Sequence, residues 1–390
     1  MSEMEKLYHQ RITRMNDAIE LREPDRVPIY GLVDNWALSN GGITLKEALS
    51  DVEKEYQAYS KTLTDYPFDA ALSVGVTFPM NFVSALGGGI YNNEMETLQI
   101  ATGQSEIMTA EEYDDLIADP TRFFRDVIIP RKHAIFQTGT TEEKFGKFAN
   151  AITKFLEFGQ SREMLTKRYR EEHGLPIPNG ANIFMPGDII MDYLRDFKGI
   201  MSDIKKRPEK LTQACNAMGE VLIPYTFGSM MGKNPDESYI QLFLHLPQFI
   251  RPKEFEKIYW PSFKKYVETF AGAGFKILIL FEKNWMHLHD YLQDLPKGHV
   301  IGFFEEDDLR IAKKKLGDTM CIAGGLKTNN LYYSSKEECI DLAKGLIDDL
   351  APGGGFVFAP DKVLAGPNDA KPENLKAVTE FIVEYGVYDK

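Results

Sequence analysis

Phe275–Phe281 (FKILILF) runs straight into Glu282, and the pattern recurs three times downstream. His299–Phe304 (HVIGFF) leads to Glu305-Glu306, Met320–Ala323 (MCIA) to Gly324-Gly325, and Gly355–Ala359 (GFVFA) to Pro360-Asp361. Continuous apolar runs of this length, bounded by glycine or polar residues, fit strands buried on both faces. The segments between them, 284–295, 306–316 and 336–350, are patterned as helices, so the region reads as repeated β-α units. Working back toward the N-terminus, Tyr239–Leu244, Pro176–Phe184, Phe68–Val74 and Arg26–Val33 read as four earlier strands. Helices are expected at 4–21, 45–65, 122–172, 188–206, 208–231, 253–272 and 371–385. Asp188 is placed to cap the helix that follows Met185-Pro186-Gly187.

About eight such units predict a closed (β/α)8 TIM-type barrel, one domain spanning 1–390. It carries an N-terminal helical extension and a loop insertion after the second strand. That insertion, 76–110, is glycine-rich and includes a hairpin expected at Glu96–Thr102 and Glu106–Thr109. In a barrel the residues just past the strands gather on one rim, where such folds keep their chemistry. Here that rim is acidic.

Of the 390 residues, 43% are hydrophobic, enough for a large core, and the net charge is −13. Nucleic acid and anionic membranes select basic surfaces, so neither is expected as a partner. Three cysteines without CxxC spacing (Cys215, Cys321, Cys339) fit a reducing compartment better than a disulfide framework. The N-terminal residues carry no cleavable leader pattern, and no run approaches the ~18 apolar residues of a membrane span. A cytoplasmic protein is expected. Gly353-Gly354-Gly355 enters a strand instead of leaving one for a helix, so it is not a phosphate loop.

Several motifs together resemble the uroporphyrinogen decarboxylase superfamily. Arg14-Met15, Ala18 and Pro24-Asp25-Arg26-Val27-Pro28 are similar to its passage from first helix to first strand. Leu246-Pro247-Gln248-Phe249, Phe255, Tyr259-Trp260-Pro261 and Lys264-Lys265 resemble a helix motif of that family. Leu316-Gly317-Asp318 with Ala323-Gly324-Gly325, and Pro352–Gly355 with Pro372-Glu373-Asn374-Leu375 and Glu384-Tyr385-Gly386, complete a likeness that covers essentially the whole chain. It implies a single α/β barrel. Decarboxylases of the family grip substrate carboxylates with an arginine-rich segment, whereas the corresponding loop here is Asp34–Ser39 (DNWALS). Arginine is suited to clamping carboxylates bidentately, so its absence points to the family's corrinoid-dependent methyltransferase branch.

That resemblance implies a methyl group moved from a small methylated donor to the Co(I) of a corrinoid protein, with zinc at the rim. Thiol-using members carry a His-x-Cys pair where this chain has Glu282-Lys283-Asn284, and a late cysteine where it has Asp361. An oxygen-rich set moves the expectation toward an aryl methyl ether donor, as in O-demethylase components. A methylamine or betaine donor, a methylcobamide-using second component, and a decarboxylase are the alternatives; a homodimer is allowed. The metal ligands this implies are Glu282, Glu305, Cys321 and Asp361, although a small thiol inside a strand is as readily a core residue. Glu282, Glu305 and His245 are the catalytic candidates, with Glu306 an alternative to Glu305 and His245 either ligand or acid. Asp34, Asn35, Phe78, Met80, Asn81 and Phe227 are expected to hold the donor. Phe82, Met230 and Met231 are further apolar candidates, with core packing an equal reading for all these apolar residues. His287 and His289, two apart on a helix, face different directions and make no chelating pair.

Overall fold

The computed structural model describes residues 1–87, 91–92, 99–100 and 107–388. Its strands are β1 (Tyr30–Gly31), β2 (Ala70–Ala71), β3 (Tyr91–Asn92), β4 (Gln99–Ile100) and β5 (Asn179–Phe184). They continue with β6 (Tyr239–Leu244), β7 (Ile277–Phe281), β8 (Val300–Phe304), β9 (Cys321–Leu326) and β10 (Phe356–Pro360). β5 to β10 form one parallel six-stranded sheet in sequential order, and β1 pairs with β2 in parallel. Isolated bonds link the two sheets: Ala71 N donates to Pro176 O at 3.1 Å, and Phe358 N donates to Pro28 O at 2.9 Å. The architecture is a TIM-type α/β barrel whose ladder does not close into a continuous sheet among the described residues.

The short ladder at β1 and β2 has a local cause. Pro28 has no N–H to donate, and Ile29 N donates to the Asp69 carboxylate at 2.8 Å. The expected strands 26–33 and 68–74 therefore shrink to two residues each. β3 and β4 pair antiparallel through Tyr91↔Ile100 and Asn92↔Gln99, a hairpin earlier than the sequence places it; most of the expected hairpin lies outside the described residues. The expected helix 122–172 is divided. Short helical segments end at Phe136, and a new helix, Thr141–His173, starts at a capping box in which Thr140 and Glu143 bond reciprocally. Residues 284–295 form only short turns, Met286–Leu288 and His289–Leu292, for a reason given below.

Side chains alternate across each strand. Leu278, Leu280, Ile301, Phe303, Cys321, Ala323, Val357 and Ala359 face one interior cluster with Tyr30, Leu32, Ala70, Leu72 and Tyr239. Met15, Ala18 and Ile19 of the first helix (Glu3–Ile19) join this cluster and floor the barrel. The alternate residues, such as Ile277, Ile279, Phe281 and Phe304, pack outward against the helices. Among the described residues no helix is long and apolar enough to cross a membrane.

Candidate active site

Two residues past Leu32, Phe243, Leu280, Phe303 and Ala359, the interior alternation reaches Asp34, His245, Glu282, Glu305 and Asp361. Because the strands run parallel, all five emerge at the same end of the barrel. This is where the sequence places its rim, and the structure brings part of the set into contact. His245 is held between two carboxylates: Nδ1 lies 2.6 Å from Asp192 Oδ2 and Nε2 lies 3.2 Å from Glu282 Oε1. Burial opposes the charge on the imidazole, but the two carboxylates outweigh it and push its pKa up to about 11. His245 is thus an imidazolium across the neutral range.

Beneath this clamp lies Asp188, fully buried. Its Oδ1 accepts from the backbone N–H groups of His245 (2.9 Å) and Leu246 (2.7 Å), and its Oδ2 accepts from the Tyr259 hydroxyl at 2.6 Å. Burial raises its carboxyl to about 7, partly offset by the charge of His245 and the Tyr259 bond. Asp188 is not a helix cap, because the N-cap position belongs to Met185. It fixes the backbone on which His245 stands. Sequence reasoning missed Asp192 and gave Asp188 only a capping role; the two lie four apart along the segment after β5, a spacing that does not by itself point to His245.

The neighbouring strand ends form a second group. Lys283 sits in the left-handed region at φ 59°. Its N–H donates to Glu305 Oε2 at 2.8 Å, and its ammonium lies 3.2 Å from Glu306. Asp361 accepts from Thr328 N at 2.9 Å; burial raises its carboxyl and the charge of Glu305 adds to that effect. Just past the first strand, the partly buried Asp34 accepts from the Tyr59 hydroxyl at 3.3 Å, and burial raises its carboxyl to about 7. Asn35 is 2% exposed and its Oδ1 has no hydrogen-bond partner among the described residues.

The remaining expected residues have these surroundings. Cys321 is the first residue of β9, at the opposite end of the barrel from the rim. It is buried in the interior cluster, and burial pushes its thiol up to about 12. A strand-end ligand would have to follow Leu326. Phe227 packs on Phe270, the rings tilted by 40° with centroids 4.6 Å apart, between the helices Pro208–Met230 and Trp260–Gly272, in the outer layer. Met80 is buried, Asn81 donates to Leu49 O at 3.0 Å, and Phe82 packs on Phe155 of the long helix. Phe78 lies half-buried on the same segment. Met230 is buried while Met231 is exposed.

These placements bear on the expected zinc. Among the described residues no three His, Cys, Asp or Glu side chains converge in a way that could hold a metal ion. Both ring nitrogens of His245 face carboxylates, Asp361 bonds to a backbone amide, and Cys321 is at the far end. Among the described residues the donor set does not fit zinc.

An eight-unit α/β barrel with a polar cluster at the C-terminal ends of its strands is the architecture of a barrel enzyme. Residues 165–385 match the family described as uroporphyrinogen decarboxylase (URO-D). That is more than half of the chain, and the chain belongs to this family. Among solved structures it is similar to a methyltransferase from Methanosarcina mazei, with a TM-score of 0.65 and 16% identity over 96% of this chain and 98% of that one. At that identity the likeness shows a shared fold. Dispersin B aligns with a TM-score of 0.32 at 10% identity, over 58% of this chain and 76% of that one, too weak to carry an argument. No curated protein sequence matches the chain.

Proposed function

We propose that this chain is a methyltransferase that takes a methyl group from an aryl methyl ether, with a corrinoid protein as acceptor. The observation that carries the reading is the clamped imidazolium of His245, set at the rim of a barrel that lacks arginines in Asp34–Ser39. A corrinoid in its Co(I) state, held by the partner protein, supplies the nucleophile. The chain's own task is then to bind the ether and stabilise charge on the departing oxygen. The N–H at Nε2 of His245, now facing Glu282, is the donor for that oxygen, and the charge of the ring makes it a strong one. Asp192 and Glu282 keep the ring protonated and aimed. Asp34, just past the first strand, orients the donor.

Incubation with Co(I) corrinoid protein and a panel of methoxyaromatics tests this through the cobalt spectrum. Methylation is expected from aryl ethers, and His245→Gln is expected to slow it about 100-fold or more, the usual loss for one oxyanion donor. One feature favours a second reading: Glu305 and Asp361 lie close enough for the charge of one to raise the carboxyl of the other. Such a pair complements a quaternary ammonium. Methylation from a betaine but from no ether would select that donor, and none from any donor would sink both. A decarboxylase reading lacks the arginines that grip carboxylates.

A further inference from the structure

Behind the clamp lies a cavity of about 370 Å³ that the sequence did not single out. Its walls are largely apolar, with rings from Phe124, Phe184 and Tyr193 and aliphatic surface from Ile129 and Leu222. The volume falls in the range of small-molecule sites, as does the balance of many apolar atoms with few polar groups. Those polar groups include Lys132, His133 and Asn182.

Lys132 is half-buried, with its ammonium 4.8 Å from the centroid of the Tyr193 ring, and it makes no ion pair with a carboxylate among the described residues. Nδ1 of His133 is buried with no hydrogen-bond partner among them. Burial lowers the pKa of both groups, and at His133 the charge of Lys132 adds to the effect. A half-buried cation without a carboxylate partner, beside a buried ring nitrogen without a hydrogen bond, is unfavourable, and a bound anion would relieve both. Phe184 forms the wall shared with the rim. Its ring meets Tyr193 edge-on at 5.9 Å and His245 edge-on at 5.4 Å.

We propose that this cavity binds a flat aromatic anion, with the ring against Phe124, Phe184 and Tyr193 and the carboxylate or phenolate at Lys132 and His133. The site stands on the cavity itself and does not require the methyltransferase reading. Joined to that reading, it gives the donor's ring an anionic substituent and makes Phe184 the side chain between ring pocket and imidazolium.

Calorimetric titration with 4-methoxybenzoate, benzoate and uncharged methoxybenzene tests the site without any turnover. Both carboxylates are expected to bind, with methoxybenzene weaker by about tenfold or more, the effect of one charge contact. Lys132→Gln should remove that difference, Lys132→Arg should largely keep it, and His245→Gln should leave carboxylate binding intact. Absence of saturable carboxylate binding overturns the proposal. So does equal binding by wild type and Lys132→Gln, or loss in His245→Gln alone, which would put the anion at the clamp instead. Binding without methyl transfer would sink only the proposed activity, and transfer without Lys132-dependent binding would sink only this site.

Discussion

At the scale of single residues, the proposed chemistry turns on how His245 keeps its proton. Burial opposes the charge on the imidazole, and the two carboxylates together carry its pKa to about 11. The sign of the stability dependence follows. A histidine with a raised folded pKa contributes stability that is complete below the unfolded value of about 6.5 and fades as pH climbs through the folded one. The His245 clamp is therefore expected to weaken between neutrality and about pH 11. In protein labelled at histidine, the His245 ring signals should stay at imidazolium positions from about pH 6 to 9, where an ordinary histidine titrates. Asp192→Asn or Glu282→Gln removes one anion and should bring that titration down into the window. A wild-type midpoint near 6.5 would show that the clamp does not hold in solution. The same variants should give methyl transfer an alkaline limb that wild type lacks.

At the scale of elements, the loop after β7 shows how the rim is built and why only part of it was legible. Lys283 adopts a left-handed conformation that costs a non-glycine residue energy, so its surroundings must hold it. They do so from β8: Lys283 N donates to Glu305, Glu306 N donates to Lys283 O at 3.2 Å, and Trp285 N donates to Asp307 Oδ1 at 2.6 Å. Trp285 Nε1 donates to Glu282 O at 3.0 Å, and the other oxygen of Asp307 meets His289 Nε2 at 2.6 Å. These bonds replace the helix expected at 284–295. Asp307→Ala would leave two buried donors without an acceptor, at a cost of about 3 kcal/mol. Asp307→Asn, which keeps one oxygen for Trp285 N, should lose markedly less; urea denaturation measures both, and equal losses would refute the stitching role. The strands β7, β8 and β10 were readable because each is a continuous apolar run with a polar stop, whereas β6 carries the buried Gln241 and β9 runs on past the expected end at Ala323, through Gly324-Gly325 to Leu326. The clamp was not readable as a unit: Asp192 and Asp188 meet His245 across 53 and 57 residues of chain, and no local pattern encodes such a meeting. Phe227 shows the converse error, since an aromatic on a helix face carries the same signal whether it lines a pocket or packs on Phe270.

At the scale of the whole molecule, the barrel is unevenly tied. From β5 to β10 the ladder is continuous, whereas β1 and β2 hold two residues each and join their neighbours through isolated bonds. Asp69 makes good much of the difference. Its carboxylate, fully buried, accepts from Arg14 on the first helix, from Arg26, and from Ile29 N beside β1. Arg14 also pairs with Asp25, so the residues Pro24–Pro28 that mark the family in sequence are the hub that ties floor helix, β1 and β2 together. Replacing Asp69 with Ala takes a buried carboxylate from Arg14, which keeps Asp25, and from the largely buried Arg26; breaking a buried pair costs about 3–5 kcal/mol. The loss should also be local in hydrogen exchange. Amides of β7 and β8, paired on both sides, should exchange slowest in wild type, and those at 27–33 and 68–72 faster. In Asp69→Asn, which keeps the shape of the side chain but not its charge, the 27–33 and 68–72 amides should lose protection while β7 and β8 keep theirs. Uniform acceleration across all strands would mean that Asp69 supports global stability only and that the two sheets open as one unit. Protection of β1 and β2 equal to that of β7 would mean that the barrel is as firmly closed there as elsewhere.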